Sequence, residues 1–413
     1  MSPSDAVAAT LGEAGAGEPQ PVWAPERLVP ENLPVRRPRL LLDMTGTLRS
    51  GKNTGIQRVV REIARNGWMM GEGIPVAIHD GEVRACYWAP GFAETLEIEA
   101  GDIFLMLDTV WNHLDEYLPL LDEMRRRGAS LIVCLHDILP ITYPDAFPPE
   151  LVERFARWVS EVVLKSDGVI ANSQSTAESL RNYLADGGPS TPTLPIGWWR
   201  LGDDFSCDGG GDASPLADRI AYGGKPYFLG VGTIEPRKGY PVVLDAMETL
   251  WAEGVDAAYV IVGSKGWGMS QFERRIERHV ELDRRLFWLS NASDADLTLL
   301  YRNARAMILA SFAEGFGLPI VEAAHYRTPV IATDIPVFRE AAGDSARYFR
   351  LLDSDSLSRA IRAAFEEKLR APALTPVSWR DSATQLLDMA RNRDFQMTQA
   401  FHEPARRRWA QNG

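Results

Sequence analysis

Short runs of consecutive apolar residues recur along the chain, and segments with the apolar spacing of helices lie between them. The runs fall at 39–43, 103–107, 131–135, 169–171, 227–231, 259–262, 285–289, 306–310 and 330–332. Continuous apolar runs of this length are typical of strands that are buried on both faces of a parallel sheet by helices. The pattern therefore predicts an α/β chain with doubly wound sheets.

The alternation of strands and helices stops once and then restarts, which predicts two domains. Residues 206–224 are rich in Gly, Ser and Asp, and we interpret them as the linker. The domains are then 35–205 and 225–393, a division that suits a chain of 413 residues. Residues 1–34 lack a hydrophobic period and are predicted to be a disordered leader. Residues 394–413 form a tail that could pack back on the first domain.

A glycine-rich turn follows the apolar run 306–310. It carries Glu314, Gly315 and Gly317, and Pro319 suits the first turn of the helix that comes next. Such a turn directs backbone N–H groups and the positive end of a helix dipole at one point, which suits a phosphate. Carboxylates repel an anion, so Glu314 and Glu322 would bind hydroxyls, and the two requirements together describe a nucleotide sugar. The alternative is an ordinary Gly-Pro loop with solvated glutamates.

A second turn, Gly232–Gly239, places two cations where a helix begins. Arg237 and Lys238 oppose the helix dipole there unless an anion offsets them. We interpret them as diphosphate ligands, with the guanidinium acting as a planar fork and the ammonium as a point charge. The alternative is solvated surface charge.

The first domain offers candidates at its own strand ends. Thr54 and Gly55 lie on a loop before a predicted helix and could present backbone N–H groups to a phosphate. His136 ends the 131–135 run, where ligands bind in parallel sheets, and Asp108 is a weaker candidate of the same type. The competing interpretation is structural, with Asp137 orienting His136.

Composition excludes several classes of function. A net charge of −12 disfavours nucleic-acid binding. Three cysteines without metal-ligand spacing, no membrane-spanning apolar run and no secretory signal favour a cytoplasmic location. The basic cluster Arg406–Arg408, next to Trp409, could contact a membrane transiently, although a solvated tail explains it too. The pair Asp353 and Asp355 fits helix capping better than a metal site.

Three segments resemble glycosyltransferase family 4: Gly232–Gly239, Glu314–Ala323 and Thr333–Gly343. The resemblance covers nearly all of 225–390 and is looser over 39–205. It implies the GT-B fold, in which two Rossmann-like doubly wound domains face a central cleft. It also implies a retaining glycosyltransferase that uses a nucleotide-sugar donor and needs neither metal nor cofactor.

The resemblance further implies roles for individual residues. Glu314 would hold hydroxyls of the donor sugar, and His136 would face that sugar. Arg237 and Lys238 would neutralise the departing diphosphate. The remaining donor-binding positions are Gly55, Thr233, Phe316, Gly317, Leu318 and Glu322, the last on the ribose. Many members carry arginine where this chain has Thr233, and Arg237 is expected to supply that charge.

The Glu-Pro-Arg-Lys and Thr-Gly-Ile-Gln-Arg sequences are most similar to bacterial enzymes of O-antigen, capsule or exopolysaccharide synthesis. The resemblance implies hexosyl transfer, with mannose from GDP-mannose as the first expectation and UDP-glucose, UDP-N-acetylglucosamine or a deoxysugar donor as alternatives. The acceptor would be a saccharide or lipid-linked saccharide, reached in the cytoplasm or at the inner face of the membrane. A sugar-nucleotide 2-epimerase and a non-catalytic transferase partner stay open as other functions.

Overall fold

A computed structural model describes residues 38–50, 54–86, 95–185, 193–204, 211–367 and 369–400. The leader predicted at 1–34 and the basic cluster Arg406–Arg408 lie outside these residues. The described chain forms two sheets, one of eight strands and one of six, each with helices on both faces. This arrangement follows from the apolar runs, since each becomes a strand that is buried on both sides.

The first sheet has the strand order β14-β7-β6-β5-β4-β1-β2-β3. Its six central strands are parallel, and only the two edge strands, β3 and β14, run antiparallel to their neighbours. The strands are β1 Leu40–Asp43, β2 Ile74–His79, β3 Glu82–Ala85, β4 Ile103–Met106, β5 Ser130–Leu135, β6 Gly168–Ala171, β7 Thr193–Trp198 and β14 Met397–Ala400.

Six helices connect these strands, and their apolar stripes face the sheet. They are α1 Thr45–Ser50, α2 Gly55–Met69, α3 Leu114–Arg126, α4 Leu139–Thr142, α5 Pro149–Glu161 and α6 Gln174–Ala185. In α2, for example, Val59, Val60 and Ile63 are buried at helical spacing. The sequence predicted this helix from Ile56 to about Asn66, and it extends further at its C-terminal end.

The second sheet is entirely parallel, in the order β10-β9-β8-β11-β12-β13. Its strands are β8 Tyr227–Val231, β9 Ala258–Val262, β10 Leu286–Leu289, β11 Ala306–Leu309, β12 Val330–Thr333 and β13 Arg347–Phe349. Its helices are α7 Pro215–Tyr222, α8 Tyr240–Ala252, α9 Ser270–Glu277, α10 Asp294–Asn303, α11 Leu318–His325, α12 Pro336–Ala342 and α13 Ser354–Glu366.

The strand order of the second sheet reverses between β8 and β11, which are neighbours in space. Connections leave these two strands in opposite directions, so a crevice opens beyond their carboxyl ends. The turns that the sequence singled out, 232–239 and 311–317, are the segments that follow these two strands. The fold therefore brings both candidate turns to one place.

Part of the predicted linker 206–224 is helical. Helix α7 begins after Ser214, whose hydroxyl accepts a hydrogen bond from the Ala217 N–H, and it buries Ala217 and Ile220 against the second sheet. The Gly- and Asp-rich residues before it obscured this short amphipathic stripe in the sequence. The second domain therefore begins within the segment that composition assigned to the linker.

The chain returns to the first domain at its C-terminal end. Helix α14, Trp379–Asn392, packs on α2, and strand β14 pairs with β7 at the edge of the first sheet. The sequence placed α14 with the second domain, because an amphipathic helix does not reveal which sheet it will cover. In the structure its apolar face completes the core cluster that contains Leu42 and Ile63.

No helix within the described ranges combines the length and apolar character that a membrane span requires. Asp353 caps α13 by accepting a hydrogen bond from the Ser356 N–H at 2.7 Å, which confirms the capping interpretation of that acidic pair.

Replacing Leu386 of α14 by Ala should destabilise the first domain. Leu386 is fully buried among first-domain side chains, and truncation of such a side chain costs about 2–5 kcal/mol. Chemical denaturation gives the free energy of unfolding, and hydrogen exchange locates the loss. Asp388→Ala, on the exposed side of α14, is the control and should change stability by less than about 0.5 kcal/mol. A loss confined to the second sheet would contradict the assignment.

Candidate active site

Two turns meet beyond the carboxyl ends of β8 and β11. A backbone hydrogen bond joins them directly, from the Phe312 N–H to the Arg237 carbonyl, with an N···O distance of 2.9 Å. Open α/β sheets bind ligands at such a switch point. The joined turns are therefore the first place to expect a ligand.

Gly239 permits this close approach. Its φ is 66°, in the left-handed region that favours glycine, and a Cβ atom at this position would lie 2.1 Å from the Ala310 carbonyl oxygen. The three residues before it, Pro236–Lys238, form a single 3₁₀ turn. Because that turn is held against the second turn, Arg237 and Lys238 reach the same carboxylate.

That carboxylate is Glu314. The Lys238 Nζ lies 2.7 Å from Glu314 Oε1, and an Arg237 guanidinium nitrogen lies 2.5 Å from Glu314 Oε2. A second Arg237 nitrogen lies 2.6 Å from the Glu235 carboxylate, and the Ser311 hydroxyl donates to Glu314 Oε1 at 2.8 Å. All four charged side chains are at least four-fifths buried. The cluster balances two cations with two carboxylates.

Electrostatics keeps Glu314 ionised. Burial opposes its charge, but Arg237 and Lys238 outweigh burial and lower the pKa of Glu314 to about 2. The pKa of Glu235 is raised by burial, which its cationic neighbours only partly offset. Arg237 has a raised pKa, since its two carboxylate partners outweigh the effect of burial. Glu314 and Arg237 are therefore both charged near neutral pH.

Glu314 occupies a different place from the one expected of a free hydroxyl ligand. Both of its oxygens accept from protein donors in this structure, in contacts with Arg237, Lys238 and Ser311. The sequence treated the carboxylate and the cations as separate features of two turns. The fold makes them one ion cluster, in which Glu314 holds the cations in place.

The first domain contributes His136, which follows β5. Its Nε2 lies 2.8 Å from the Leu107 carbonyl oxygen, and because a carbonyl only accepts, Nε2 carries the proton. Burial lowers the pKa of His136, so the ring is neutral. Its Nδ1 is buried and has no hydrogen-bond partner among the described residues. A buried acceptor is therefore left for a ligand.

Asp137 and Asp108 have structural partners. Asp137 accepts a hydrogen bond from the Leu139 N–H at 3.0 Å, at the start of α4. Asp108 accepts from the backbone N–H groups of Thr47 and Thr109. Burial raises the pKa of both carboxyls. The proposed structural pair, in which Asp137 orients His136, is not what the structure contains, because the Leu107 carbonyl takes that role.

Two glycines bring the domains into contact. A Cβ atom on Gly315 would lie 2.0 Å from the His136 carbonyl oxygen, and one on Gly55 would lie 2.9 Å from Leu318 Cδ1. The sequence predicted that the turns carrying both glycines present backbone N–H groups to a phosphate. In this structure each allows close approach of the opposite domain, so the two candidate halves of the site face one another.

Glu322 also lies between the domains. One of its oxygens is 2.7 Å from an Arg58 guanidinium nitrogen of the first domain, and the other accepts from the Tyr301 hydroxyl at 2.7 Å. The sequence predicted a ribose ligand here. Each carboxylate oxygen has a second lone pair, so the expected role is compatible with these contacts without being established by them.

The remaining expected donor-binding positions border the same cleft. Gly317 has a φ of 94° and stands directly before α11, and the side chains of Phe316 and Leu318 pack partly against the first-domain core. Thr233 lies on the turn after β8 and would contact a Cβ atom added to Gly266. These residues form part of the wall of the cleft, while the charged cluster provides its ionised side chains.

A cavity of about 440 Å³ lies elsewhere between the domains, near the points where the chain crosses from one domain to the other. Its walls include Trp198, Trp199, Phe316 and Thr375, and none of the four members of the charged cluster. It therefore lies apart from the ion cluster, although Phe316, which lines this cavity, is only two residues from Glu314.

Several contacting residues were missed by sequence reasoning. Glu235 and Arg58 belong to motifs in which only the neighbouring residues were assigned a role. For Glu235 the sequence did contain a signal, because Glu-Pro-Arg-Lys places opposite charges close together. Ser173, Thr176 and Glu340 gave no signal, because their contacts join residues more than 130 positions apart. Pairings of this kind depend on how the two domains dock.

The part of the chain that the structure describes contains no group of three or more His, Cys, Asp or Glu side chains placed to hold a metal ion. The side chains of Arg237 and Lys238 place positive charge beside the candidate site.

Comparisons with known proteins show which family and fold this chain resembles. Residues 217–376 match the family model for glycosyl transferases group 1. The serotype-specific mannosyltransferase WbdA of Escherichia coli is 32% identical over 379 residues, which are 84% of this chain and 46% of that protein. The chain thus spans about half the length of such relatives. The O-antigen chain mannosyltransferase B of Escherichia coli is 26% identical over 281 residues, covering 67% of this chain and 68% of that one.

Solved structures share the fold. The Anabaena protein HepE, in complex with UDP and glucose, has a TM-score of 0.58 at 17% identity, over 86% of this chain and 95% of that one. Sucrose-phosphate synthase from Thermosynechococcus elongatus has a TM-score of 0.57 at 16% identity, over 87% and 95%. These similarities confirm the predicted GT-B fold.

Replacing Gly315 by Ala should separate the two domains. The added methyl group meets the His136 carbonyl, a backbone atom that cannot move aside without its strand. Small-angle X-ray scattering should show an increased radius of gyration. Gly254→Ala is the control: at its φ of 87° the added methyl group also strains the backbone, but nothing lies within 4 Å of that atom, so the domains should stay in contact. A Gly315→Ala protein with unchanged scattering would contradict the described contact.

Replacing Glu314 by Gln should destabilise the protein by about 3 kcal/mol near neutral pH, because two buried cations lose their shared carboxylate. A carboxyl whose pKa is lowered on folding stabilises above its unfolded pKa and loses that contribution as pH falls. The difference in unfolding free energy from the unmodified protein should therefore shrink between pH 4.5 and about 2. Glu366→Gln, an exposed carboxyl of α13, controls for charge. A difference that stays constant over this range would refute the coupling.

Proposed function

Because the chain belongs to the family of group 1 glycosyl transferases, we propose that it is a retaining, metal-independent hexosyltransferase that takes its sugar from a nucleotide-sugar donor. One observation carries the proposal. Arg237 and Lys238 from the turn after β8 converge with Glu314 from the turn after β11, next to the N-terminus of α11. A diphosphate has two partners there, the cations and the helix dipole.

The donor diphosphate would compete with Glu314 for the two cations. In the ligand-free cluster, Glu314 is the only carboxylate that contacts both Arg237 and Lys238 within the described chain. When the diphosphate takes these contacts, lone pairs of Glu314 become available to the hydroxyls of the donor sugar. Glu314 would then form the observed ion pairs before the donor binds and the expected contact with the sugar after it binds.

Bond cleavage at the anomeric carbon moves negative charge onto the diphosphate. Arg237, Lys238 and the amide groups at the start of α11 would stabilise that charge from fixed positions, which is the form of catalysis that depends least on reorganisation. Phe316, Gly317 and Leu318 would line the donor with backbone, as the family resemblance implies. The partly buried cleft strengthens each of these interactions.

Glu314 is a poor general base in this scheme. A base works best when its pKa lies near the working pH, and the pKa of Glu314 is about 2. The departing phosphate is the better proton acceptor for the incoming hydroxyl of the acceptor. Transfer with retention then needs no protein nucleophile.

His136 would orient the transferred sugar. Its Nε2–H is committed to the Leu107 carbonyl, so the unpaired Nδ1 can accept a hydrogen bond from a sugar hydroxyl. Across the cleft, Gly55 would offer backbone to the phosphate, and Thr233 and Glu322 would lie toward the nucleoside. The first domain would then contact the sugar, and the second domain would hold the nucleotide.

We propose mannose from GDP-mannose as the first donor to test. The relatives named as mannosyltransferases support this choice, and the name of the second refers to the O-antigen chain. UDP-glucose, UDP-N-acetylglucosamine and deoxysugar donors are the alternatives. The acceptor would be a saccharide or lipid-linked saccharide in the cytoplasm or at the inner face of the cytoplasmic membrane, with transient membrane contact and no nucleic-acid partner.

Replacing Lys238 by Ala should lower kcat/KM for sugar transfer by about 10²–10³, the usual effect of removing one preorganised group that stabilises developing charge. A panel of GDP-, UDP-, dTDP- and ADP-sugars with a saccharide acceptor, followed by mass spectrometry, identifies the donor and measures the rate. Lys225→Ala provides the matched control, because Lys225 pairs with Asp256 at the opposite end of β8.

Each outcome of that panel is informative. Full activity of Lys238→Ala would overturn the assigned role of the cation cluster. Donor cleavage that proceeds equally with and without acceptor would favour a 2-epimerase or hydrolase. Donor binding with no turnover of any sugar would favour a non-catalytic partner of a transferase.

A further inference from the structure

The carbonyl group of Gly315 accepts two hydrogen bonds from the opposite domain. The Ser173 hydroxyl donates to it at 2.6 Å and the Thr176 hydroxyl at 2.9 Å. Both side chains are at least 95% buried. A carbonyl oxygen has two lone pairs, so these two hydroxyls saturate it. Contacts this short and this buried fix the orientation of the Gly315 peptide group.

Ser173 has no freedom to donate elsewhere. Its oxygen accepts from the Thr176 N–H at 3.0 Å, as the residue before helix α6 commonly does. Its carbonyl accepts from the Ala177 N–H at 3.1 Å. The only hydrogen of its hydroxyl therefore goes to Gly315. The first turn of α6 is thus a rigid platform beneath the 314–318 turn.

The same helix turn is bound a second time by the other domain. Glu340 of α12 accepts from the backbone N–H groups of Gln174 and Ser175, both at 2.8 Å, and from the Ser175 hydroxyl at 2.6 Å. A carboxylate at a helix N-terminus satisfies unpaired donors and the helix dipole. The second domain therefore supplies the part of the α6 cap that satisfies the Gln174 and Ser175 N–H groups, and this part depends on contact between the domains.

Fixing the Gly315 carbonyl also fixes the N–H group of Phe316. In a trans peptide these two groups point in opposite directions. With the carbonyl held toward α6, the Phe316 N–H points to the side away from that helix. The residues on either side, Glu314 and Gly317, belong to the charged cluster and to the start of α11. The geometry of the whole turn thus depends on two hydroxyls of the first domain.

We infer that Ser173, Thr176 and Glu340 are positioning residues: the two hydroxyls set the 314–318 turn in its donor-binding shape, and Glu340 holds the platform against the second domain. This inference rests on the proposed function. None of the three side chains needs to contact substrate. Their effect is that the shape of the donor site in the second domain depends on contacts made by the first domain.

Paired substitutions at Thr176 separate positioning from folding. Thr176→Val keeps the shape and removes the hydroxyl, and it should lower kcat by about 10–100-fold with a smaller change in KM. Thr176→Ser keeps the hydroxyl and should restore kcat to within about 3-fold. Ser179→Ala is the control, because that hydroxyl lies one turn further along α6 and donates within its own helix at 2.8 Å. Equal impairment of the Val and Ser variants would overturn the inference.

A second measurement does not depend on activity. Hydrogen exchange on the full-length, ligand-free Ser173→Ala/Thr176→Val protein should show faster exchange of the amides in 314–320, and Glu340→Ala should do the same at 174–175. Ser179→Ala should change neither segment. Unchanged exchange in both variants would refute the positioning role, even if transfer from a nucleotide sugar is detected. Altered exchange in a protein that shows no transfer activity would support the positioning role of these residues and refute only the proposed function.

Discussion

Arg237 and Lys238 follow the end of β8, and each side chain is less than one-fifth exposed. Both contact the carboxylate of Glu314. Two buried cations side by side are unfavourable without a compensating anion. This requirement explains the local sequence: Gly239 brings the two turns together, and Ser311 orients the carboxylate that arrives with the second turn. The carboxylate of Glu314 thus holds the cation pair in position beyond the carboxyl ends of β8 and β11.

The domain contact imposes a second constraint on the same turn. Gly315 is the residue at which the second domain touches the backbone of His136, and any side chain there would collide with the His136 carbonyl. Ser173 and Thr176 use the space that the glycine leaves, by donating to its carbonyl. One turn therefore contributes a charged side chain to the cleft and a backbone surface to the domain contact. Closure and site geometry cannot vary independently at this position.

The sequence was sufficient for features that depend on local pattern. Continuous apolar runs became buried strands, and Arg237, Lys238 and Glu314 could be placed at strand ends because parallel strands share one ligand-binding edge. It was insufficient where a partner is distant. Arg58 and Glu322 are 264 residues apart, and helix α14 covers the first domain although it follows the second along the chain. Neither amphipathic spacing nor charge identifies such partners, because both are compatible with either domain.

The path of the chain determines how the cleft can change shape. Two segments cross between the domains, one between β7 and α7 and one between α13 and α14. The contacts between the domains include the hydrogen bond from the Trp267 indole N–H to the Ala146 carbonyl, at 2.8 Å, and an aromatic pair of Tyr143 with Phe312. Arg237 and Glu314 both belong to the second domain, whereas His136 belongs to the first. A movement of one domain relative to the other would therefore move the ion cluster as a unit with respect to the histidine.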